Sequence, residues 1–327
     1  MRGKTMCRAS ALVALVALGC VGCAPSGATD RLSVVTTVFP VYDWAREVVG
    51  GESNRVEVSF LASRGVDLHS YQPSVSDLGK IHTCDLFVHV GGPSDAWVAS
   101  AVKGAAGNPK RRTLNLLQAL GDAVKEEQTV EGMQRHDHDP DHDHGHEKEI
   151  DEHVWLSLRL AKTCARRLAE ELAAVDPGGA ETYRANAAAY AGKLDALDAR
   201  YAAAVREASV KTLLFADRFP FRYLVDDYGL AYFAAFEGCS AETAASFKTV
   251  SFLAEKLKAG NLPAVLVIEG SDHRVADAVV RAAGRAVPVR AVDSLQATTA
   301  RDAAAGVTYL GAMAKNLETF RAALGLR

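Results

Sequence analysis

The sequence has few of the features that identify a membrane-embedded, disulfide-stabilised or nucleic-acid-binding protein. Only 6 of its 327 residues are cysteine, and aromatic residues make up 7%. The net charge of -3 implies no general affinity for nucleic acid. Its single long apolar run is too short to cross a bilayer as a helix. What remains is an ordinary globular composition, with 49% hydrophobic and 24% charged residues, and enough length for two domains.

The cysteines beyond the N-terminal segment give no sign of a cross-linked or thiolate-bound framework. Cys84, Cys164 and Cys239 are odd in number and widely spaced, so we interpret them as small buried side chains. The sequence also lacks the HExxH and GxSxG motifs of common hydrolases. The sequence therefore gives no support to the alternative of a metallohydrolase, and nothing in the residues independently supports a surface adhesin.

The N-terminal segment has the pattern of an export signal. Basic residues precede the apolar run Ala9–Gly19, as in secretory signal peptides. A small residue then stands before Cys20 and before Cys23, which resembles a bacterial lipoprotein box. Cys20 fits the box better, with Cys23 as the alternative and cleavage without a lipid as a third possibility. We expect residues 1–23 to be a signal peptide, and the protein to be exported and either lipid-anchored to the bacterial cell membrane or periplasmic.

Alternating strand-like and helix-like stretches predict an α/β fold with two lobes. In residues 30–177 and again in residues 209–327, this alternation favours a parallel-type sheet flanked by helices. Residues 178–208 include an Ala-rich stretch without proline that predicts a helix on the order of 40 Å long. Such a helix either packs along one domain or is a rigid connection between the two lobes. We expect the second arrangement, which leaves a cleft between the lobes.

Three local expectations can be compared with the structure. Ser74 and Asp77 have the spacing of a capping box that begins a short helix. The Leu114–Leu117 segment is strand-like. A terminal helix is expected from about Asp302 to Leu324.

Two histidines stand where an α/β fold places ligand-binding residues. Ligands of open α/β sheets bind beyond the carboxyl ends of the strands. His69 follows the predicted strand Val56–Leu61, and His153 lies just before a predicted helix. Neither histidine belongs to an apolar helical stripe, so both are candidate ligands.

A histidine-rich segment gives the strongest direct sign of metal chemistry. Its histidines alternate with acidic residues inside the predicted loop 132–149, which interrupts the first lobe. Imidazoles suit zinc, copper and nickel, and the carboxylates add oxygen donors. The alternative is a solvated low-complexity loop. We expect an auxiliary collector, sensor or buffer of metal, formed by His136, His138, His142, His144 and His146.

An ordered set of motifs resembles the zinc/manganese solute-binding lipoproteins of ABC transporters. The resemblance implies two α/β lobes joined by a long helix, with a metal site in the cleft between them. It also implies a monomeric binding protein, not an enzyme, that captures a divalent metal ion and delivers it to an ABC transporter permease. The motifs are Thr36-Thr37-Val38-Phe39-Pro40, Asp67–Pro73, Ser76-Asp77, Asp85-Leu86-Phe87-Val88 with Gly91, Asp151–Trp155 and Tyr228-Gly229-Leu230.

The same resemblance assigns ligands position by position. His69 and His153 match the first two family histidines, and Asp293 matches the carboxylate ligand of many members. The family places a histidine or glutamate five residues before a tyrosine that corresponds to Tyr223. Here that residue is Arg218, whose guanidinium cannot donate electrons to a metal.

Two oxygen donors are candidates for the missing ligand. Asp217 takes the place if the turn shifts by one residue, although it equally suits a salt bridge with its neighbour. Glu269 follows a predicted strand and is either an alternative ligand or a hydrogen-bond acceptor behind the site. Two histidines with two carboxylates would also suit Mn²⁺ or Fe²⁺, whereas the histidine-rich segment favours zinc. We expect Zn²⁺, with Mn²⁺ or Fe²⁺ as alternatives.

Overall fold

The computed structural model describes residue 1 and residues 31–103, 107–134, 149–240 and 244–326. Residues 31–327 group as one compact unit. The expected signal peptide, with Cys20 and Cys23, lies outside the described residues. So do the five histidines of the histidine-rich segment.

The first half of the chain forms a four-stranded parallel sheet with strand order β2-β1-β3-β4. Successive parallel strands need a crossover connection, and short helices supply it here. The elements are β1 (Leu32–Thr36), α1 (Phe39–Val49), β2 (Val56–Phe60), α2 (Val75–Thr83), β3 (Leu86–His89), α3 (Val98–Lys103), β4 (Arg112–Asn115) and α4 (Leu116–Leu120).

Two long helices follow, and a second four-stranded parallel sheet completes the fold with strand order β6-β5-β7-β8. The expected fold class is therefore confirmed. The elements are α5 (Leu158–Val175), α6 (Ala180–Glu207), β5 (Thr212–Phe219), α7 (Arg222–Tyr228), β6 (Ala231–Glu237), α8 (Phe247–Ala259), β7 (Val265–Ile268), α9 (Arg274–Ala283), β8 (Val289–Val292), α10 (Ala300–Ala304) and α11 (Tyr309–Ala323).

Helix α6 joins the two lobes. It has 28 residues, which corresponds to about 42 Å at 1.5 Å per residue. The Asn186 side chain donates to the carbonyl of Val48 in α1 at 3.0 Å, and the Tyr201 hydroxyl donates to the carbonyl of Met313 in α11 at 2.7 Å. The helix is thus fastened to both lobes. No helix among the described residues combines the length and apolar character needed to cross a membrane.

Local expectations succeed or fail for identifiable reasons. The capping box of Ser74 and Asp77 is confirmed at the start of α2. The expected strand Leu114–Leu117 is wrong in its second half, because the Asn115 side chain accepts from the backbone N–H of Gln118 and begins α4.

The single terminal helix expected from Asp302 to Leu324 is also wrong. Gly306 adopts a positive φ of 95°, which ends the first helical segment, α10. Thr308 then caps α11 by accepting from the backbone N–H of Gly311. The apolar pattern continued across this break, so it concealed the interruption.

Asp43 of α1 connects the first lobe to the start of α11. Its buried carboxylate accepts from the backbone N–H of Tyr309 at 2.8 Å. Burial raises the pKa of Asp43 from 3.8 to about 6, although this hydrogen bond acts to lower it. A carboxyl group with a raised pKa binds its proton more tightly in the folded state. Its contribution to stability is therefore complete below about pH 4 and is lost as the pH rises through about 6.

We predict that Asp43→Asn removes this pH-dependent contribution. The free energy of unfolding of the unsubstituted protein, minus that of the variant, should fall by about 2 kcal/mol between about pH 4 and pH 7. Urea unfolding across a pH series measures both. Parallel pH profiles for the two proteins would contradict the prediction.

Candidate metal centre

His69 lies in the loop after β2, on a short 3₁₀ turn, Leu68–Ser70. The Asp67 carboxylate begins this turn by accepting from the backbone N–H of His69 at 3.0 Å. Nδ1 of the His69 ring lies 2.8 Å from the Ser94 hydroxyl and 3.2 Å from a carboxylate oxygen of Glu152. These partners fix the ring, and they leave Nε2 as the atom available to a ligand.

His153 occupies the start of the turn Val154–Leu156 and is fully buried. One oxygen of Asp151 accepts from the His153 backbone N–H at 2.9 Å and lies 2.8 Å from its Nδ1. Because a carboxylate can only accept, this contact assigns the ring proton to Nδ1. The lone pair of His153 is then on Nε2.

The two histidines direct Nε2 towards each other across 3.3 Å. A carboxylate behind Nδ1 is the usual arrangement for a metal-bound histidine, because it fixes both tautomer and orientation. In a tetrahedral zinc site with Zn–N bonds of about 2.0–2.1 Å, two ligand nitrogens lie about 3.3–3.4 Å apart. The observed separation therefore fits two ligands of one ion.

Buried carboxylates give this pocket a negative charge. Asp151 and Glu152 are almost completely buried, and Glu127 lies beside them. One oxygen of Asp151 and one of Glu127 are buried with no hydrogen-bond partner among the described residues. Buried charges of one sign require compensation, so this pocket favours a bound cation.

The protonation equilibria reflect the same field. Burial acts to lower the pKa of His153, but the negative charges of Asp151 and Glu152 outweigh it, so the pKa is raised. Burial acts to raise the pKa of Glu152, but its hydrogen bond with His69 and the charge of His153 outweigh it, so the pKa is lowered. Burial and the charge of Asp151 raise the pKa of Glu127. The carboxylates thus stabilise positive charge at His153.

Hydrogen bonds to the second half of the chain hold the His153 segment in place. The Tyr223 hydroxyl donates to the carbonyl of Asp151 at 2.7 Å. The Trp155 indole donates to the carbonyl of Ser294 at 2.9 Å, and the Tyr309 hydroxyl donates to the carbonyl of Trp155 at 2.6 Å. His153 is therefore fixed between the two lobes.

The other predicted oxygen ligands lie elsewhere in the second lobe. Asp217 and Glu269 line a cavity of about 400 Å³ that also reaches Asp67 and Arg218. Neither they nor Asp293 belongs to a group of converging metal-ligand atoms among the described residues. Their ligand role remains a prediction.

Each of these three carboxylates already accepts hydrogen bonds. Asp217 accepts from the N–H of Arg218 at 2.8 Å, and Asp293 accepts from the N–H of Leu295 at 2.8 Å. Glu269 accepts from the N–H and the hydroxyl of Ser294, at 2.7 and 2.5 Å. Burial, followed by the charge of Asp293, raises the pKa of Glu269 to about 7.

Arg218, at the position expected for a ligand, instead links the lobes. Its guanidinium donates to the Asp67 carboxylate at 2.6 Å and to the carbonyl of Ser240 at 3.5 Å. Burial acts to raise the pKa of Asp67, but the hydrogen bond and charge of Arg218 outweigh it, so the pKa is lowered. The arginine thus connects the His69 loop to the segment after β6.

Cys239 was missed as a candidate site residue. The expectation that it is a buried thiol is wrong, because it is partly exposed and its sulfur lies within 4.8 Å of ring nitrogens of both His69 and His153. Burial, followed by the charges of Glu127 and Glu152, raises the pKa of this thiol. It follows strand β6, so the rule that identified His69 would have identified it too.

Comparison with known proteins identifies the family to which this two-lobed fold belongs. Residues 34–323 match the model of the family described as zinc-uptake complex component A periplasmic (ZnuA). The zinc-binding protein AdcA of Streptococcus pyogenes is 30% identical over 297 residues, which are 90% of this chain and 56% of AdcA. The high-affinity zinc uptake system protein ZnuA of Bacillus subtilis is 29% identical over 90% of this chain and 88% of its own length.

Solved structures give the same result. The Zn(II)-bound ZnuA-like domain of Streptococcus pneumoniae AdcA is 28% identical with a TM-score of 0.69, over 90% of this chain and 99% of that one. The metal-dependent lipoprotein YcdH of Bacillus subtilis is 25% identical with a TM-score of 0.72, over the same shares. These similarities define a two-lobed metal solute-binding fold. The chain belongs to the ZnuA family of zinc-uptake components. It spans about half the length of the AdcA relatives, 56%.

Tyr223→Phe tests how the second lobe positions His153. In the unsubstituted protein the Tyr223 hydroxyl donates to the carbonyl of Asp151 and accepts from the N–H of Lys125 at 2.9 Å. The substitution leaves both backbone groups without this hydroxyl. We expect a loss of roughly 1–3 kcal/mol in the free energy of unfolding. Tyr190→Phe is the matched control, because its buried hydroxyl has no partner among the described residues. Equal losses in the two variants by urea unfolding would contradict the prediction.

Proposed function

We propose that this protein captures a zinc ion between its lobes and delivers it to an ABC importer. The observation that carries the proposal is the 3.3 Å separation of the His69 and His153 Nε2 atoms, each ring backed by a buried carboxylate. Imidazole nitrogens suit zinc better than the harder Mn²⁺, and Fe²⁺ is the other alternative. The names of the relatives as zinc-binding and zinc-uptake proteins support the same choice.

The site suits binding and release more than turnover. Both imidazoles are preset by partners on Nδ1, so an arriving ion requires little reorganisation of its first two ligands. The family resemblance proposes Asp293 as a second-lobe ligand, and Asp217 and Glu269 are the carboxylate alternatives for the ligand missing at Arg218. Helix α6, fastened at both ends, favours small lobe motions over a wide hinge on release of the ion.

The cellular setting follows from the sequence and from the relatives. We propose export followed by lipid anchoring through Cys20, with Cys23 as the alternative. The family is described as periplasmic, and the Streptococcus pneumoniae relative as a zinc-binding lipoprotein. The protein acts as a monomer with a membrane permease as its partner. The histidine-rich segment, formed by the five histidines already named, is an auxiliary collector, sensor or buffer of metal.

The central experiment measures zinc bound to the purified full-length protein and to two variants. In one variant His69 and His153 are both replaced by Ala, and in the other the five histidines of the histidine-rich segment are replaced by Ser. We expect one tightly bound zinc to remain in the second variant and to be lost from the first. Affinity in the first should fall by more than the roughly 10–100-fold typical of losing an outer partner.

Competition with a zinc chelator, followed by elemental analysis, gives both stoichiometry and affinity. The two variants control for each other, because each removes only histidines. If the tightly held ion is lost with the histidine-rich segment and kept without His69 and His153, the cleft is not the capture site.

A further inference from the structure

The second lobe of this chain lacks the ligand expected at Arg218, so another side chain has to complete the cleft site. We propose that the Cys239 thiolate is that ligand, and that it binds zinc together with Nε2 of His69 and of His153. This inference rests on the proposed zinc function. It specifies the donor set as two nitrogens and one sulfur.

The Cys239 thiol lies close to both histidine rings. The Cys239 sulfur and the ring nitrogens of both histidines lie within 4.8 Å of one another. Zn–S bonds of about 2.3 Å and Zn–N bonds of about 2.0–2.1 Å place sulfur and nitrogen about 3.6 Å apart in a tetrahedral site. A movement of about 1 Å, within reach of a side-chain rotation, therefore closes the site.

The carboxylates that compete with this thiol already accept hydrogen bonds. Asp217, Asp293 and Glu269 each accept at least one hydrogen bond within the second lobe. None of them converges with His69 or His153 among the described residues. A carboxylate ligand from this set requires a larger rearrangement than the thiolate does.

Gly238 and Arg218 bring Cys239 close to the histidines. A Cβ atom at Gly238 would lie 3.1 Å from Cε1 of His153 and 3.0 Å from the carbonyl of Phe219, so glycine permits this close approach. On the other side, Arg218 donates to the carbonyl of Ser240 and to Asp67 in the His69 loop. Arg218, which occupies the position expected for a ligand, thus holds the segment that carries Cys239.

Buried carboxylates lie close to the three proposed ligands. Asp151 and Glu127 each have a buried oxygen without a hydrogen-bond partner among the described residues, and both lie in the group next to His153. A divalent ion held by two neutral imidazoles and one thiolate keeps a positive charge. That charge compensates these buried carboxylates.

Cobalt(II) tests the inference because it takes zinc's tetrahedral geometry and gives a thiolate-to-metal charge-transfer absorption in the near ultraviolet. The protein is the full chain with Cys7, Cys20 and Cys23 replaced by Ser, which removes the N-terminal thiols. We expect this absorption with one equivalent of cobalt. It should vanish in Cys239→Ser and persist in Cys164→Ser, the matched control with a buried thiol in α5.

Zinc affinity is measured in parallel by chelator competition. We expect Cys239→Ser to lose at least about tenfold in affinity, and Asp217→Asn and Asp293→Asn to lose less. One tight zinc with no thiolate absorption, or an absorption that survives Cys239→Ser, overturns the inference and leaves the proposed function intact. Absence of any tight zinc overturns the proposed function as well. The absorption of the chain that retains Cys239 does not depend on whether the variant folds.

Discussion

The pairing of each histidine's Nδ1 with a buried carboxylate is the constraint on which the site depends. Asp151 holds the proton of His153 on Nδ1, and Glu152 with Ser94 does the same work for His69. Two lone pairs then face each other at 3.3 Å. With buried carboxylates behind both rings, this arrangement is suited to bind a positive ion between the two nitrogens.

The fold supplies this pairing from two directions. His69 lies on a loop at the carboxyl end of a strand in the first sheet, where parallel sheets place their ligands. His153 lies on the connection towards helix α5, and hydroxyl and indole groups bind its segment to the second lobe. Helix α6 is hydrogen-bonded to both lobes, and the Arg218 guanidinium donates to the Asp67 carboxylate next to the site. Rigid elements therefore position the ligands before any ion arrives.

Much of this structure could be predicted from the sequence. The periodicity of apolar residues, with glycine and proline between the segments, predicted the parallel sheets and the long helix. This periodicity reflects which face of each element is buried. Terminal helix boundaries failed where a glycine break left the apolar pattern intact. His69 and His153 stood at positions where histidine has little structural reason to occur.

The position of Cys239 after strand β6 could mark it as a candidate, but its proximity to the two histidines depends on the tertiary structure. Cys239 has no spacing motif with another ligand, and the chain distance to His69 hides their contact. The sequence indicates on chemical grounds that the Arg218 guanidinium cannot donate to a metal. Its role in linking Asp67 to the segment after β6 is visible only in three dimensions.

The most direct test of the account is the position of the ion in a crystal structure of the zinc-loaded protein, located by anomalous scattering at the zinc absorption edge. The account predicts one strong peak about 2.0–2.1 Å from Nε2 of both His69 and His153. A peak bound only by the histidine-rich segment, with the two cleft histidines uncoordinated, would contradict it.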